Sequence, residues 1–554
     1  MKSEAKKSDA KRTKGEVLLE IKDLKISGQS DDVWHEIVKG VGLTLKRGEV
    51  LGLIGESGAG KSTIGLAAMG FARPGCRITG GSIIFDGKDL RKASEEERRA
   101  LRGSRIAYVA QSAAASFNPA HRIIDQTVET AIGHDVLDRG KAEANAKDLY
   151  TRLKLPNPNS IGSRYPHQVS GGQLQRAMTA MAMSCRPDLI IFDEPTTALD
   201  VTTQVDVLAA MRDIVEQFNT AAIYITHDLA VVAQMAHRIM VLRYGKLIEE
   251  APTREMLKSP KEAYTKTLWA VRSLAMPERT GKDVVLRVHD VDATYGGVIK
   301  VLENVTVQVP RGRTVAVVGE SGSGKSTLAR AITGLLPPRK GEVYFNGKPL
   351  PRALKDRDKD TLRRIQMIYQ SADTALNPRQ RVRDVIGRPL EFYLGLKGQE
   401  RDRKVVELLE QIELSEDLID RLPGELSGGQ KQRICIARAL AADPELIICD
   451  EVTSALDQIV QEGILKLLLK LQKETNVSYL FITHDIATVR AIADEIVVMY
   501  QGRVVQQGLK TEVLSPPHPP YTELLLSSVP EMDPDWLTHL LAKREAKGKV
   551  AAKA

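Results

Sequence analysis

Four motifs occur twice in this chain in the same order, and the last three keep identical spacing. The pairs are GESGAGKST at 55–63 and GESGSGKST at 319–327, VSGGQLQR at 169–176 and LSGGQKQR at 426–433, IIFDEPTTALD at 190–200 and IICDEVTSALD at 447–457, and ITHDLA at 225–230 and ITHDIA at 482–487. Asp193 precedes His227 by 34 positions, and Asp450 precedes His484 by 34. Such spacing predicts two duplicated domains, because two long copies do not make a solenoid.

The two copies set the expected domain boundaries. We predict a first domain over residues 17–276 and a second over residues 284–538. Residues 277–283, PERTGKD, are polar and contain proline and glycine, which is typical of a short linker. Residues 1–16 and 539–554 are rich in lysine, so we expect basic, disordered tails at both ends of the chain.

The composition is that of a globular protein. Of 554 residues, 42% are hydrophobic and 27% are charged, which excludes a wholly disordered or fibrous chain. We find no run of ~18 apolar residues, as a membrane-spanning helix needs, and no apolar stretch of a secretory signal at the N-terminus. The four cysteines form no C-x-x-C pair, so we expect no disulfide scaffold and no metal cluster. The net charge of +8 permits an anionic partner without indicating one.

Short apolar runs end at the repeated motifs. VLGLIG, LIIFDE and AIYITH in the first copy correspond to TVAVVG, LIICDE and YLFITH in the second. Runs of this kind predict parallel strands that are buried on both faces and joined by helices, which is an α/β fold. Ligands bind at the carboxyl ends of such strands, where the motifs lie. The polar residues 85–95 and 112–168 of the first copy, and 371–425 of the second, predict an inserted helical subdomain in each copy.

Residues 55–62 and 319–326 both fit the pattern G-x-x-x-x-G-K-[ST] between a strand and a helix. The glycines let backbone N–H groups point at phosphates, and the helix start adds partial positive charge. A plain glycine-rich turn is the alternative, and two copies in the same context disfavour it. We therefore predict an ATP phosphate loop in each copy. The predicted residues are Gly55, Glu56, Ser57, Gly58, Ala59, Gly60, Lys61, Ser62, Thr63, Gly319, Glu320, Ser321, Gly322, Ser323, Gly324, Lys325, Ser326 and Thr327.

Acidic residues follow two equivalent strands. Asp193 and Asp450 end apolar runs, where a carboxylate is costly unless it meets a cation such as Mg²⁺. Glu194 and Glu451 come next and point elsewhere, which suits a base for the attacking water. An acid that caps the next helix is the alternative interpretation.

Histidine and glutamine complete the predicted chemistry. His227 and His484 end another strand and would contact the γ-phosphate, although a lone histidine is more often structural. Gln111 and Gln370 end IAYVAQ and IQMIYQ and would contact Mg²⁺ or water. The predicted catalytic residues are Glu194, Glu451, His227, His484, Gln111 and Gln370. The predicted metal-binding residues are Ser62, Gln111, Asp193, Ser326, Gln370 and Asp450.

The SGGQ segments precede helices and make a second candidate anion site that lacks a lysine. One ATP does not need two phosphate loops from one domain. We therefore predict that each SGGQ segment caps the nucleotide held by the other domain, through Ser170 and Gly172 or through Ser427 and Gly429. ATP would then hold the two halves together, and hydrolysis would release them.

The ordered motifs resemble those of the ABC ATPase family, twice over. The resemblance implies tandem domains, each with a RecA-like core, an antiparallel β subdomain and an inserted helical subdomain, arranged head to tail around two ATP sites. One site would join Lys61, Ser62, Gln111, Asp193, Glu194 and His227 to Ser427 and Gly429. The other would join Lys325, Ser326, Gln370, Asp450, Glu451 and His484 to Ser170 and Gly172. Asp200 and Asp457 would communicate across the interface.

Finer features resemble the peptide, oligopeptide and nickel importer branch. SFNPA and ALNPR follow the two glutamines, and SPPHPPYTELL is similar to the branch's C-terminal signature. Tyr264 and Tyr521, each 37 positions after the motif histidine, are interpreted as packing residues. The family stacks adenine on an aromatic residue, which Tyr295 would provide in the second half. Gly28 stands at that place in the first half, with Trp34 as a possible substitute, so weaker adenine binding is expected there.

This resemblance implies the ATP-hydrolysing subunit of a binding-protein-dependent ABC importer, for peptides or related small solutes, with ATP and Mg²⁺ as ligands. We expect a peripheral protein at the cytoplasmic face of the inner membrane. Its partners would be two permease subunits and, through them, an extracytoplasmic solute-binding protein, with no nucleic acid. The alternative is a two-cassette factor acting on ribosomes or DNA, which the short linker and the absence of zinc-type cysteines disfavour. A plain P-loop kinase would leave SGGQ unexplained.

Overall fold

The computed structural model of the protein describes residues 15–551, apart from 31–32, 198, 271–276, 282, 298 and 455. The chain divides into two compact units. The first contains the residues up to Trp269 together with those from Pro530 onward, and the second runs from Ala270 to Val529. Among the described residues, no helix combines the length and the apolar character needed to cross a membrane.

Strands occur in the same succession in both halves. They are β1 (Val17–Ser30), β2 (Val33–Lys46), β3 (Val50–Gly55), β4 (Cys76–Phe85), β5 (Lys88–Asp89), β6 (Ile106–Val109), β7 (Leu189–Asp193), β8 (Ala221–Ile225), β9 (Arg238–Arg243), β10 (Lys246–Pro252), β11 (Val284–Tyr295), β12 (Ile299–Pro310), β13 (Thr314–Val318), β14 (Lys340–Phe345), β15 (Lys348–Pro349), β16 (Ile365–Ile368), β17 (Leu446–Asp450), β18 (Ser478–Ile482), β19 (Glu495–Tyr500) and β20 (Arg503–Leu509).

The α-helices alternate with the strands of the core. They are α1 (Lys61–Ala67), α2 (Glu95–Leu101), α3 (Ala113–Ser116), α4 (Ile123–Gly133), α5 (Arg139–Arg152), α6 (Gly171–Met183), α7 (Val201–Gln217), α8 (Leu229–Met235), α9 (Thr253–Lys258), α10 (Ala263–Ala270), α11 (Lys325–Thr333), α12 (Lys359–Arg364), α13 (Ala372–Ala375), α14 (Val382–Pro389), α15 (Gly398–Gln411), α16 (Gly428–Leu440), α17 (Gln458–Thr475), α18 (Ile486–Ile492), α19 (Lys510–Leu514), α20 (Pro520–Ser527) and α21 (Trp536–Ala551).

Each unit contains one parallel core sheet with an antiparallel edge strand, and one smaller antiparallel sheet. In the first unit the core order is β10-β9-β3-β8-β7-β6, and the smaller sheet is β2-β1-β4-β5. In the second unit the orders are β16-β17-β18-β13-β19-β20 and β12-β11-β14-β15. Strands β3, β7 and β8 are buried along their whole length. Helix α1 and the smaller sheet pack on one side of β3, and α8 packs against Gly52 on the other. The predicted α/β fold and its duplication are confirmed.

The hydrophobic core of the first unit lies between its two sheets. Leu19 and Ile21 of β1 pack in one cluster with Leu51 and Leu53 of β3 and with Ile64 of α1. Helices α4 and α5, which come from the predicted inserted segment, pack on α6 instead. This arrangement places the start of α1, the end of β7 and the end of β8 at the same edge of the core sheet, because these strands are parallel.

The division of the chain into two units falls a few residues before the predicted domain limits. The units divide after residues 269 and 529, whereas the predicted domain limits are 276 and 538. Helix α21 begins within the predicted second domain and continues through residue 551; Leu540 is buried near its start, whereas the side chains of Lys543 and Glu545 are exposed. The apolar side chains of Trp536 and Leu537, at the start of this helix, are buried as well. Residues 1–14 and 552–554 of the expected tails lie outside the described residues.

Candidate active sites

Each phosphate loop closes around its own lysine. Lys61 Nζ donates hydrogen bonds to the carbonyl oxygens of Gly55 at 2.7 Å and Glu56 at 2.9 Å. Lys325 Nζ makes the equivalent bonds to Gly319 and Glu320, both at 2.8 Å. Both lysines are only 6% exposed. The two loops therefore have one geometry, with a buried cation at the centre of a ring of backbone groups.

Glycine is required where the first loop turns. Gly58 has φ of +81° and Gly60 has φ of +92°, in the left-handed region that side chains rarely adopt. A Cβ added at Gly58 would meet no atom within 4 Å, so the loop leaves open space on that side. The loop thus has the shape of a cradle in which a group as large as a phosphate finds room next to backbone N–H groups.

A serine and an aspartate meet beside each loop. Ser62 Oγ, at the start of α1, donates to Asp193 Oδ1 at 2.8 Å, and Ser326 Oγ donates to Asp450 Oδ1 at 3.0 Å. Burial raises the pKa of the Asp450 carboxyl above its usual value. Hydroxyl and carboxylate oxygens are the ligands that Mg²⁺ prefers, and a divalent cation would compensate a carboxylate at a buried strand end. The residues present therefore fit the predicted metal.

The next residue, Glu194, is held from three sides. Its Oε2 accepts hydrogen bonds from Gln111 Nε2 at 3.1 Å and from Thr197 Oγ1 at 3.2 Å. Its Oε1 lies 3.2 Å from His227 Nδ1. Burial opposes the charged carboxylate, but the hydrogen bond and charge of His227 hold the pKa of Glu194 below its usual value. In return, Glu194 outweighs burial and holds the pKa of His227 above its usual value.

The second half repeats the contacts of the carboxylate with glutamine and histidine, whereas Ser454, at the place of Thr197, donates to the backbone oxygen of Glu451. Glu451 accepts from Gln370 Nε2 at 2.8 Å and lies 3.5 Å from His484 Nδ1. Glu194 and Glu451 have φ of +48° and +50°, so both leave their strands in the same strained conformation. Val452 replaces the proline of the first half, and it does not change this backbone turn. The structure thus brings together, within each unit, the carboxylate, histidine and glutamine predicted from the motifs.

The SGGQ segments form helix N-caps. Ser170 Oγ accepts from Gln173 N at 3.4 Å at the start of α6, and Ser427 caps α16 in the same way. Both serines are exposed. A Cβ at Gly172 would lie 2.1 Å from Thr203 Cγ2, so this glycine is required for the packing of α6 on α7. The predicted contact of these segments with a nucleotide stays a prediction.

Surroundings of the predicted adenine positions differ between the halves. Tyr295 accepts a hydrogen bond at 3.0 Å from Arg330 Nη1, which lies on the phosphate-loop helix α11. In the first half, Gly28 lies against Ile37, whose Cδ1 would be 2.4 Å from an added Cβ. Trp34 is 38% exposed, and the Arg77 guanidinium lies 3.9 Å from its ring centroid. An aromatic side chain at position 28 would therefore displace Ile37.

Two tyrosines belong to the sites although the motifs did not indicate them. Tyr521 OH accepts a hydrogen bond at 2.9 Å from the backbone N of Glu320, the second residue of its phosphate loop. The expectation that Tyr521 only packs is therefore incomplete, and its fixed distance from the motif histidine was the available signal. Tyr108 OH donates to Asp193 Oδ2 at 2.5 Å, whereas Met367 stands at the same place in β16.

Comparisons with known proteins agree with this geometry. A family model described as ABC transporter matches residues 38–197 and 302–454, and one described as oligopeptide/dipeptide transporter, C-terminal region, matches residues 505–552. A glutathione import ATP-binding protein GsiA from Salmonella choleraesuis (strain SC-B67) is 36% identical, covering 93% of this chain and 90% of its own length. The GsiA protein of Escherichia coli (strain K12) is 35% identical with the same coverage. The chain therefore belongs to the ABC transporter family, as a subunit with two ATPase domains in tandem.

Proposed function

We propose that this chain is the ATP-hydrolysing subunit of an ABC importer that carries peptides or related small solutes such as glutathione. The observation that carries the proposal is the ionised glutamate in each unit, held by glutamine and histidine next to a serine–aspartate pair and a phosphate loop. The oligopeptide/dipeptide C-terminal region and the glutathione importers among its relatives support the substrate class.

Mg²⁺ and the ATP phosphates would lie between the loop and the strand ends. Ser62 and Asp193 would hold the ion in the first site, and Ser326 and Asp450 in the second, with the glutamine amide oxygens nearby. The bound ion would neutralise charge on the phosphates. Lys61 and Lys325 now donate to loop carbonyls, and each would turn one or more of these hydrogen bonds toward a phosphate oxygen.

The glutamates would orient and deprotonate the attacking water. A carboxylate is an effective base only when it is ionised, and the lowered pKa keeps Glu194 and Glu451 ionised at neutral pH. Gln111 and Gln370 donate to one oxygen of each carboxylate, which leaves lone pairs on the other oxygen for water. His227 and His484 fix the carboxylate and present a protonatable ring at the strand end.

Each ATP would also contact the SGGQ segment of the other half. Ser170 and Ser427 cap exposed starts of long helices, which favour negative charge, but these segments contain no lysine of their own. A nucleotide shared in this way couples hydrolysis to separation of the two halves. We propose that permeases dock near Gln111 and Gln370, where the inserted helices begin, and that this contact holds the protein at the cytoplasmic face of the membrane.

Reconstitution tests this function. The chain is coexpressed with the permease pair and the solute-binding protein that copurify with it, and the complex is placed in liposomes. We expect hydrolysis of ATP to rise when the binding protein is loaded with glutathione or a short peptide, and the labelled solute to enter the lumen. Copurification with ribosomes or DNA, without permeases and without solute-stimulated hydrolysis, would instead support the two-cassette factor.

A further inference from the structure

The last part of the chain packs on the first unit although it follows the second half in sequence. We call residues 530–544 the strap. The Gln234 side chain, which is 4% exposed on α8, is the centre of this contact. Its Nε2 donates to the carbonyl oxygens of Glu531 at 2.9 Å and Asp533 at 2.8 Å, and its Oε1 accepts from Leu537 N at 3.0 Å.

Apolar and ionic contacts extend the docking along the strap. Leu537 is fully buried, and Trp536 and Leu540 are nearly so. Both carboxylate oxygens of Asp535 accept hydrogen bonds from Arg254 Nη2, at 2.7 and 2.8 Å. A buried amide that satisfies three backbone groups of one segment is a specific fit, because each of those groups would otherwise lose its partner away from water.

The second unit receives the segment that follows the first half at a related place. Glu278 accepts from Thr511 N at 2.8 Å and from Thr511 Oγ1 at 2.7 Å. Arg279 binds Asp494 through its backbone N at 2.9 Å and through its guanidinium. Helix α10 thus leads into a segment anchored on the second unit, and α20 leads into a segment anchored on the first.

The two anchors use different side chains at equivalent positions. Gln234 lies seven positions after the first motif histidine, and the residue seven positions after the second is Ala491. Arg254 and Thr511 likewise lie 27 positions after those histidines. Of these two equivalent positions, only the one in the first half carries an amide that can bind the strap. The strap therefore fits the first unit and not its duplicate.

We propose that the strap is a second, nucleotide-independent tether between the two ATPase units, in addition to the linker. With both connections in place, the units stay at high effective concentration when no nucleotide joins them. The two units can then release their nucleotides after hydrolysis without separating from each other. This inference follows from the packing of residues 530–544 and does not depend on the transported solute.

Cutting the linker tests the tether. A protease recognition sequence is inserted between Ala270 and Pro277, and the folded chain is cut without nucleotide. We expect the two fragments of the full chain to elute together in gel filtration, and the fragments of a chain ending at Val529 to elute separately. A chain ending at Arg544 is the matched control, and its fragments should stay together. Separation of the full-chain fragments, or co-elution of those ending at Val529, would overturn the proposal.

A point variant of the full chain keeps the test valid if truncation disturbs the fold. After the linker is cut, the fragments of the full chain with Gln234→Leu should separate at a protein concentration about tenfold higher than those of the unsubstituted chain, and equal co-elution of both would overturn the role of Gln234.

A peptide experiment then adds the strap back to the truncated chain. A peptide of residues 528–546, followed by the fluorescence of Trp536, is added to the chain ending at Val529. We expect saturable binding, and binding about tenfold weaker or worse to the same chain with Gln234→Leu, which removes three hydrogen bonds at similar volume. Absence of binding, or equal affinity for both chains, would show that Gln234 does not hold the strap.

Discussion

Replacing Glu194 and Glu451 by glutamine separates ATP binding from hydrolysis. The amide oxygen can still accept the hydrogen bonds of Gln111 and Thr197, and the amide N can face a neutral His227, so the local shape is kept. The amide cannot take a proton from water. Positioned general bases contribute 10²–10⁴-fold to rates, so hydrolysis by the double variant should fall by about that factor, or about 3–5 kcal/mol in activation free energy.

Single-turnover hydrolysis of labelled ATP by the permease-bound complex measures this loss, with equilibrium ATP binding measured alongside. Glu216→Gln, an exposed glutamate on α7, is the control and should leave both quantities unchanged. If the double variant hydrolyses ATP within tenfold of the unsubstituted protein while binding it equally, the carboxylates are not the bases and the reasoning from their geometry is wrong.

The same double variant shows which chains share a site. If each half caps the other's nucleotide, the trapped protein should hold two ATP molecules per chain and scatter light as a single chain. The tethered halves favour this outcome, because the second SGGQ segment is present at high effective concentration. A stable two-chain species formed on addition of ATP, with each site shared between chains, would contradict the intramolecular arrangement.

Four further substitutions test the sites. Lys325→Ala should abolish transport and most hydrolysis, and Lys61→Ala should impair transport less; full activity of the Lys325 variant would exclude its loop from catalysis. Tyr521→Phe removes the acceptor of one loop N–H, worth about 0.5–1.5 kcal/mol, so the KM for ATP should rise about two- to tenfold, and an unchanged KM would contradict that contact. Because the pKa of His227 is raised, its stabilisation is complete below about pH 6.5 and declines as pH rises through the folded pKa. The Tm advantage over His227→Gln should therefore shrink from pH 6 to pH 9, and a constant difference would oppose this.

The positions of Glu194 and Glu451 were predictable because they depend on local pattern. An apolar run of strand length that ends in Asp-Glu can only place those residues at the edge of a parallel sheet. The phosphate loops are also local, since the bonds of Lys61 and Lys325 reach back five and six residues. Duplication then added an internal check, because each inference had to hold twice.

The contacts that escaped prediction join residues that are far apart in the chain. Tyr521 reaches Glu320 across 201 positions, and Gln234 reaches the strap across about 300. No local periodicity reports such pairs. The lysine content of α21 also did not indicate that Trp536, Leu537 and Leu540 are buried, because composition averages over the helix while burial depends on a few positions. The spacing of Tyr521 from its motif histidine, which Tyr264 repeats, was the available signal for the contact of Tyr521 with its phosphate loop.

The two halves differ more in the residues near the predicted nucleotide than in the glutamine and histidine partners of Glu194 and Glu451. Glu194 and Glu451 share a backbone conformation and the same kinds of partner, even though Val452 replaces proline. By contrast, the Asp193 carboxylate has a tyrosine donor where the second half has methionine, and the predicted adenine platform pairs Tyr295 with a loop-helix arginine that the first half lacks. We expect the differences at the predicted adenine platform and at Asp193 to change nucleotide affinity, and we expect loss of the contacts that hold Glu194 and Glu451 to stop hydrolysis. We therefore expect both sites to hydrolyse ATP with different nucleotide affinities, and we do not expect one active site beside one degenerate site.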